Sequence, residues 1–290
     1  MMRRARVVLN PIPWDKHVRD GLAPLLSTLE DGGIRCDVSF TKIDATMTES
    51  VAHAVEERYD LVIAGGGDGT VSEVASGLVG TEIPLGIIPC GTFNNIATSL
   101  GLPRDLHRVA SIIVSGKTRE IDVGQVNNFY FFEAAGVGLD ATLFPISAEV
   151  KDGHYHRLFE FSRRFLQYQP VEMTILLDDT RELKASAPLV VIANGPYYGP
   201  GFNIAPEAEL DDGLFSVVIF ETCTRLDVAG YFAATVGRRK SSLPCISTYR
   251  ASRVDIKSRT PLPAHADGRP IGTSPLSLQT IPKGLRVIVP

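Results

Sequence analysis

The sequence has no CxxC pair. Its four cysteines, Cys36, Cys90, Cys223 and Cys245, lie far apart. This excludes the common zinc and thioredoxin-type motifs, and reduced thiols in a cytosol are the simpler expectation. No apolar run approaches the roughly 18 residues of a membrane span, so any meeting with a membrane is expected at its surface. Basic charge is not in excess. Lys and Arg number 29 against 33 Asp and Glu, a net charge of −4, which argues against bulk electrostatic binding to nucleic acid. Internal repeats and low-complexity tracts are missing, and the N-terminal MMRRARVVLNP has too short an apolar stretch for a secretory signal. What is present is 290 residues, 44% of them hydrophobic, enough for one large domain or two ordinary ones with a substantial core.

The first 120 residues alternate between two kinds of pattern. Short apolar runs at Arg6–Asn10, Ile34–Thr41, Leu61–Ala64 and Pro84–Ile88 read as strands. Val18–Leu29 sets Leu22, Leu25, Leu26 and Leu29 at helical spacing, and Glu49–Arg58, a segment from about Thr70, Asn94–Leu100 and Leu106–Val114 also read as helices. Strand–helix alternation with apolar strands predicts an α/β N-terminal domain with a parallel sheet over 1–122. After Asp122 the texture changes. Phe129–Ala135, Val171–Leu177, Leu183–Asn194, Leu214–Phe220, Arg253–Lys257 and Arg286–Val289 read as strands. Only Thr142–Tyr168 and Arg225–Val236 read as helices, the first interrupted by a loop at Gly153-His154-Tyr155-His156. A mainly antiparallel C-terminal domain over 123–290 fits this pattern best.

GGGDGT, residues 65 to 70, follows the strand-like Leu61-Val62-Ile63-Ala64 and precedes a helix. Glycines let backbone N–H groups approach a phosphate, and a helix N-terminus favours anions. The alternative is structural, because Thr70-Val71-Ser72-Glu73 is also a capping-box pattern that would only start the helix. The spacing is not GxGxxG, since Ser72 stands at the third glycine. The Gly116-Lys117-Thr118 triplet has Ser111 where a P-loop needs its first glycine, and reads as a turn leading into a strand. The loop lacks lysine, and its one charge is Asp68. A carboxylate beside phosphate oxygens is repulsive unless a divalent cation lies between them, and Mg²⁺ is normally held by one or two carboxylates plus phosphates. Asp68 therefore suggests a Mg-nucleotide site. A second turn, Pro89-Cys90-Gly91-Thr92-Phe93-Asn94-Asn95, follows the next strand and belongs on the same sheet edge.

The ordered set of motifs resembles the diacylglycerol kinase catalytic family, which includes bacterial lipid kinases and is related to sphingosine kinases. The motifs are Asn10-Pro11, GGGDGTVSEV at 65–74, GTFNNIA at 91–97, IDVG at 121–124, AGVGLDA at 135–141 and NGPYYGPGFNIAPEAELDDGLFSVVI at 194–219. The resemblance covers nearly the whole chain. It implies an α/β ATP-binding domain, a β-sandwich-like second domain, and ATP and lipid sites at the interdomain cleft. Nucleotide-site residues would be Asn10, Thr41, Gly66, Gly67, Asp68, Gly69, Thr70, Glu73, Gly91, Thr92 and Asn94. A structural Mg²⁺ would be bound by Asp212 with the carbonyls of Glu209 and Leu214, although Asp211-Asp212-Gly213 also reads as a plain hairpin turn. The implied enzyme uses ATP and Mg²⁺ to phosphorylate a lipid hydroxyl, of diacylglycerol or a related lipid. It would be cytoplasmic, peripheral at the inner face of the membrane, with no nucleic-acid partner and room for a homodimer.

Three departures from the family pattern stand out. The first loop reads Asn10-Pro11-Ile12-Pro13-Trp14 instead of Asn-Pro-x-Ser-Gly. The second ends Asn94-Asn95 instead of Asn-Asp. The family's Asp-Gly-Glu, whose Glu is the presumed general base, is here Asp267-Gly268-Arg269, and an arginine cannot serve as a base. On an extended strand His265, Asp267 and Arg269 would point the same way. Asp267 or His265 could then accept the hydroxyl proton and Arg269 could stabilise the transferring phosphoryl group.

For the lipid side, Leu143, Phe144, Leu158, Phe159, Phe161, Phe165 and Leu166 are interleaved with Arg157, Arg163 and Arg164. Arg238-Arg239-Lys240 adds a second basic cluster. A core-facing helix with a solvated basic face explains the same pattern. Two other readings of the chain are an NAD kinase, which shares GGDGT, and a catalytically weak nucleotide- or lipid-binding member of the family. The His154-x-His156 pair reads as a solvated loop, for want of further metal ligands nearby.

Overall fold

The computed structural model describes residues 2–10, 16–41, 46–142, 163–235 and 241–290. The chain folds as two units, 1–123 with 282–290, and 124–281. The return of 282–290 to the first unit departs from the expected single boundary. Its cause is one long strand, Leu276–Ile288, of which the sequence suggested only the end. The first part of this strand pairs antiparallel with Arg253–Ser258 in the second unit, and Val287 pairs in parallel with Leu85 in the first.

In the first unit the strands stand in the order Ile34–Phe40, Arg3–Leu9, Leu61–Gly66, Leu85–Pro89, all parallel. The strand Leu61–Gly66 is buried at every position, as helices on both faces of a parallel sheet require. Leu25 and Leu29 of helix Lys16–Asp31 pack with Leu106, Val109 and Ile113 of helix Leu106–Ser115 against Val7, Leu9, Ile63 and Ile88. The helix at Leu106 starts where Asp105 accepts the Arg108 N–H at 2.8 Å, and stops at Gly116, which takes a left-handed φ of 67°. The Gly-Lys-Thr triplet is thus a helix stop leading into strand Thr118–Val126, as expected.

In the second unit a six-stranded antiparallel sheet runs Ile246–Ala251, Phe215–Phe220, Leu189–Ala193, Ala134–Gly138, Pro263–Ala266, Arg269–Thr273. The second sheet includes Arg253–Ser258, Val171–Leu177 and Arg181–Ala187. Val190, Ile192, Phe215, Val217 and Ile219 bury one face of the first sheet with Met173, Ile175, Val254 and Leu278. The alternate residues Leu189, Val191, Ala193, Val218 and Phe220 bury the other face with Val228 and Tyr231 of helix Arg225–Thr235. Both faces being covered explains why LVVIA and FSVVIF are continuous apolar runs. Phe131 stacks on Phe215 at 5.5 Å between ring centres, and burying each such side chain is worth about 1.5–3 kcal/mol.

Two expected strands are each two strands. Leu183–Asn194 breaks at Pro188, between Arg181–Ala187 and Leu189–Ala193, because proline has no N–H to donate. Phe129–Ala135 breaks between Phe129–Phe131 and Ala134–Gly138. Residues 139–142 and 163–167 are helical, in part of the expected Thr142–Tyr168 segment. The loop at 153–156, residues 11–14, the apolar and basic positions 143, 144, 157–159 and 161, and the cluster 238–240 lie outside the described residues. Among the described residues no helix is long and apolar enough to cross a membrane.

The thiol expectation needs correcting. Cys223 and Cys245 form a disulfide across 22 residues, tying the two ends of the segment that holds helix Arg225–Thr235. Cys36 and Cys90 are free. No local motif announces the pair, because the fold and not the spacing brings the two Cα atoms to 5.2 Å. Closing a loop of this length contributes about 3 kcal/mol by chain entropy. Urea unfolding of the Cys223→Ser/Cys245→Ser variant should show a loss of that order against the oxidised wild type. Equal stability would mean that the bridge contributes nothing to the folded state.

Candidate active site

The carboxyl ends of the parallel strands carry the first group of candidate residues. Strand Leu61–Gly66 runs into helix Asp68–Ser76 through Gly67 (φ −86°, ψ −178°), and no side chain caps this helix. The capping-box alternative for Thr70 is therefore corrected. The helix begins two residues earlier, and Thr70 sits buried in its first turn with its hydroxyl accepting from Asn10 Nδ2 at 3.1 Å. An uncapped helix start after a glycine loop is an anion-binding arrangement. The neighbouring strand ends continue the same edge. The Asn10 amide donates to the Gly65 carbonyl at 2.9 Å, the Thr41 amide to the Leu9 carbonyl at 2.9 Å, and the Cys90 amide to the Gly66 carbonyl at 3.0 Å.

The second loop is built against the first. A Cβ on Gly91 would lie 2.4 Å from the Cα of Gly67, so residue 91 must be glycine for these backbones to meet. Asn94 takes a left-handed φ of 53° and brackets Gly91. Its Oδ1 accepts the Gly91 N–H and its Nδ2 donates to the Gly91 carbonyl, both at 2.8 Å. Asn94 thus shapes the loop, a job its sequence position did not reveal. Arg104 holds the loop from outside by donating to the Thr92 carbonyl at 2.8 Å. Asp68 joins the two loops, because its Oδ1 accepts the Ile96 N–H at 3.1 Å at the start of helix Asn95–Ser99. The structure thus brings Asn10, Thr41, Gly66, Gly67, Asp68, Gly69, Thr70, Gly91, Thr92 and Asn94 to one sheet edge, with Glu73 one turn along the helix. The glycine-only approach, the uncapped helix and the single acid suit a nucleotide's phosphates with a divalent cation.

In the second unit the sequence reading of 265–269 is corrected. Asp267 (φ 45°) and Gly268 (φ 78°) form a two-residue hairpin turn, so His265 and Arg269 lie on opposite strands and do not share an extended face. Asp-Gly is the pair that such a turn selects. The Asp267 carboxylate accepts from the amides of Phe132 at 2.8 Å, Glu133 at 2.9 Å and Ala134 at 3.2 Å. It replaces a strand partner where the expected Phe129–Ala135 strand breaks. His265 is buried, with Nε2 3.0 Å from Asp140 Oδ2 and Nδ1 accepting the Gly268 N–H at 3.2 Å. Both groups named as proton acceptors are thus bound to protein partners. Arg269, at the start of the outgoing strand, is exposed.

Asp140 and Tyr198 were not singled out in the sequence. Tyr198 donates to Asp140 Oδ2 at 3.1 Å and stacks on His265. Burial, followed by the nearby Asp140 carboxylate, holds the Tyr198 phenol well above its usual range and pushes that of Tyr168 up to about 12. Asp140 and His265 are 125 positions apart, and no spacing rule links them.

The cation site expected at Asp212 is not formed as a cage. Asp212 Oδ1 accepts the Leu214 N–H at 3.0 Å, and its Oδ2 pairs with Arg250. Arg250 also donates to the Glu207 carbonyl at 3.0 Å. A guanidinium on the carboxylate that should bind Mg²⁺ does not fit a cation there. Among the described residues no group of three or more His, Cys, Asp or Glu gathers for a metal.

Comparison with known proteins agrees with this architecture. Residues 4–126 match the diacylglycerol kinase catalytic domain, and residues 136–289 match the YegS C-terminal NAD kinase beta sandwich-like domain. The chain is 28% identical to a diacylglycerol kinase of Staphylococcus epidermidis, with 100% of this chain and 93% of that protein covered. It is 28% identical to a diacylglycerol kinase of Bacillus subtilis, with 100% and 97% covered. A solved diacylglycerol kinase structure from Bacillus anthracis shares the fold with a TM-score of 0.79 at 21% identity, over 100% of this chain and 97% of that one. With both family domains matched in order along its length, the chain belongs to the diacylglycerol kinase catalytic family of lipid kinases.

Proposed function

We propose that the protein transfers the γ-phosphoryl group of ATP to the hydroxyl of diacylglycerol or a related lipid. The observation that carries this reading is the meeting of Gly67 and Gly91 beside an uncapped helix whose first residue is Asp68. The backbone amides of the Gly67 loop would bind phosphate oxygens. Asn10 steadies the loop through the Thr70 hydroxyl, and Asp68 would hold Mg²⁺. When bound, Mg²⁺ neutralises charge on the phosphate oxygens. Phosphoryl transfer depends mainly on positioning and electrostatics, so the loss of the family's glutamate at 269 is compatible with turnover.

A lipid substrate also requires contact with a membrane surface. Leu166 and Leu226 are large apolar side chains left 60% and 83% exposed, and Arg225 donates to the Tyr168 carbonyl at 3.2 Å. Exposed Arg163 lies on the same short helical segment as Leu166. We assign these residues to the lipid surface, where each basic residue near anionic headgroups is worth about 1 kcal/mol.

Incubation with ATP labelled in its γ-phosphate and mixed micelles of diacylglycerol should yield labelled phosphatidic acid. Labelled NADP from NAD, or ATP binding with no transfer to any lipid of a panel, would overturn the reading. Asp68→Asn should keep the fold, since the amide oxygen can still accept the Ile96 N–H. It should lower turnover by about 10³-fold, the several kcal/mol that a metal contributes at the transition state. Turnover near that of wild type at limiting Mg²⁺ would leave Asp68 as a loop brace only.

Asp212→Ala should cost about 1 kcal/mol or less, because its partner Arg250 is partly exposed. The melting temperature should fall by a few degrees at most, by the same amount with and without Mg²⁺. A Mg²⁺-induced rise in the wild type that the variant lacks would restore the cation site.

A further inference from the structure

An open groove of about 660 Å³ lies over the strands Val171–Leu177, Arg181–Ala187 and Arg253–Ser258 of the second unit. Its lining includes Glu172, Thr174, Lys184, Ser186, Lys257 and Arg259, all within 124–281. Strand alternation puts them there. Met173, Ile175, Ala185 and Ile256 enter the core between the two sheets, so Glu172, Thr174, Lys184, Ser186 and Lys257 stand on the side away from it. Register sets their spacing. Lys257 lies opposite Thr174, Thr174 opposite Lys184, and Glu172 opposite Ser186. With strands about 4.8 Å apart, the two lysine backbones are about 10 Å apart with Thr174 between them, and their long stems can converge over its hydroxyl.

Charge is unevenly matched along this face. In the next row Asp255 pairs with Arg253 at 3.3 Å and Glu182 with Lys184 at 3.7 Å. Among the described residues Lys257 and Arg259 have no carboxylate partner. Lysine on a sheet commonly guards an open edge. That accounts for Lys184 on the edge strand, but not for Lys257, whose strand is paired on both sides. Three cations around one groove repel each other, and an anion between them relieves the repulsion. The Lys184–Glu182 pair is exposed on both sides, contributes little, and is readily exchanged for a ligand.

Ammonium and guanidinium groups suit a phosphate, while the Thr174 and Ser186 hydroxyls and the Glu172 carboxylate suit the hydroxyls of a ligand. The volume is that of a small-molecule site. We infer that this groove binds a small, soluble phosphorylated polyol, with Lys184, Lys257 and Arg259 around its phosphate and Glu172, Thr174 and Ser186 on its hydroxyls. The layering of the second unit sets a lipid headgroup aside. Phe165, beside Leu166, and Val228 and Tyr231, on the helix of Leu226, pack on the outer face of the six-stranded sheet. The groove lies across the core from them, so one flat bilayer does not meet both. This choice of a soluble ligand uses the lipid surface proposed above. The site itself stands apart from the kinase reading, and its test needs no turnover.

Titration calorimetry with glycerol 3-phosphate as the probe should give saturable binding with a Kd of about 1 mM or tighter. Lys257→Ala/Arg259→Ala should weaken it at least 10-fold. Glu172→Ala should weaken glycerol 3-phosphate but not inorganic phosphate, which lacks the polyol hydroxyls. Arg253→Ala, a paired cation of the next row, should stay within about 2-fold of wild type. All four side chains are exposed, so these variants should keep the fold, with unchanged circular dichroism as the check. Binding that survives in Lys257→Ala/Arg259→Ala lies elsewhere and would overturn the inference, as would no binding by the wild type. Inorganic phosphate bound as tightly as glycerol 3-phosphate would leave a general anion site only. If the double variant instead loses binding to phosphatidylcholine vesicles containing phosphatidic acid, and not to glycerol 3-phosphate, the groove is a membrane contact and the inference fails.

Discussion

A backbone N–H buried without an acceptor costs about 1–3 kcal/mol, so irregular backbone needs partners from outside regular pairing, and at several loops here an aspartate supplies the acceptor. Asp68 takes the Ile96 amide, Asp122 the Lys283 amide, Asp178 the amides of Ser252 and Arg253, and Asp267 three amides in a row. Each of these bonds fixes a turn relative to an element distant in the chain. Hydrogen bonds of amides to ionised carboxylates are stronger than neutral ones, which suits them to holding irregular backbone. The candidate sites are irregular backbone of this kind.

In the first unit this gives the one acid of the glycine loop a structural part. One oxygen of Asp68 secures the second loop to the first, while the glycine at 91 removes the side chain that would keep the two backbones apart. Asn94 completes the arrangement by closing a small ring of hydrogen bonds on Gly91. Loop shape, helix start and acid are therefore set together, and a lysine in the loop would have no comparable bracing role.

The second unit uses the same device for a different end. Residue 269, where the family resemblance implies a glutamate base, is an arginine, which stays protonated. The carboxylate of Asp267 and the imidazole of His265 are both hydrogen-bonded into the fold.

Much of this was legible in the sequence because the signals are local. Apolar runs of four or five residues alternating with 3.6-residue periodicity specify a parallel sheet with its helices, and the ordered glycine motifs place the first loop at the sheet's carboxyl edge. The helical spacing of Leu22, Leu25, Leu26 and Leu29 depends on nothing beyond its own segment. Only the tertiary structure decided what depends on partners far along the chain. The His265–Asp140 bond spans 125 positions and the Asp267–Phe132 bond 135. The Cys223–Cys245 bridge, the Arg250 partner of Asp212 and the return of 282–290 to the first unit are of the same kind. Periodicity reports which face of an element is buried, but it carries no information on which distant side chain will be waiting there. For the same reason the alternation of His265, Asp267 and Arg269 suggested one extended face, when two left-handed residues between them turned the chain back on itself.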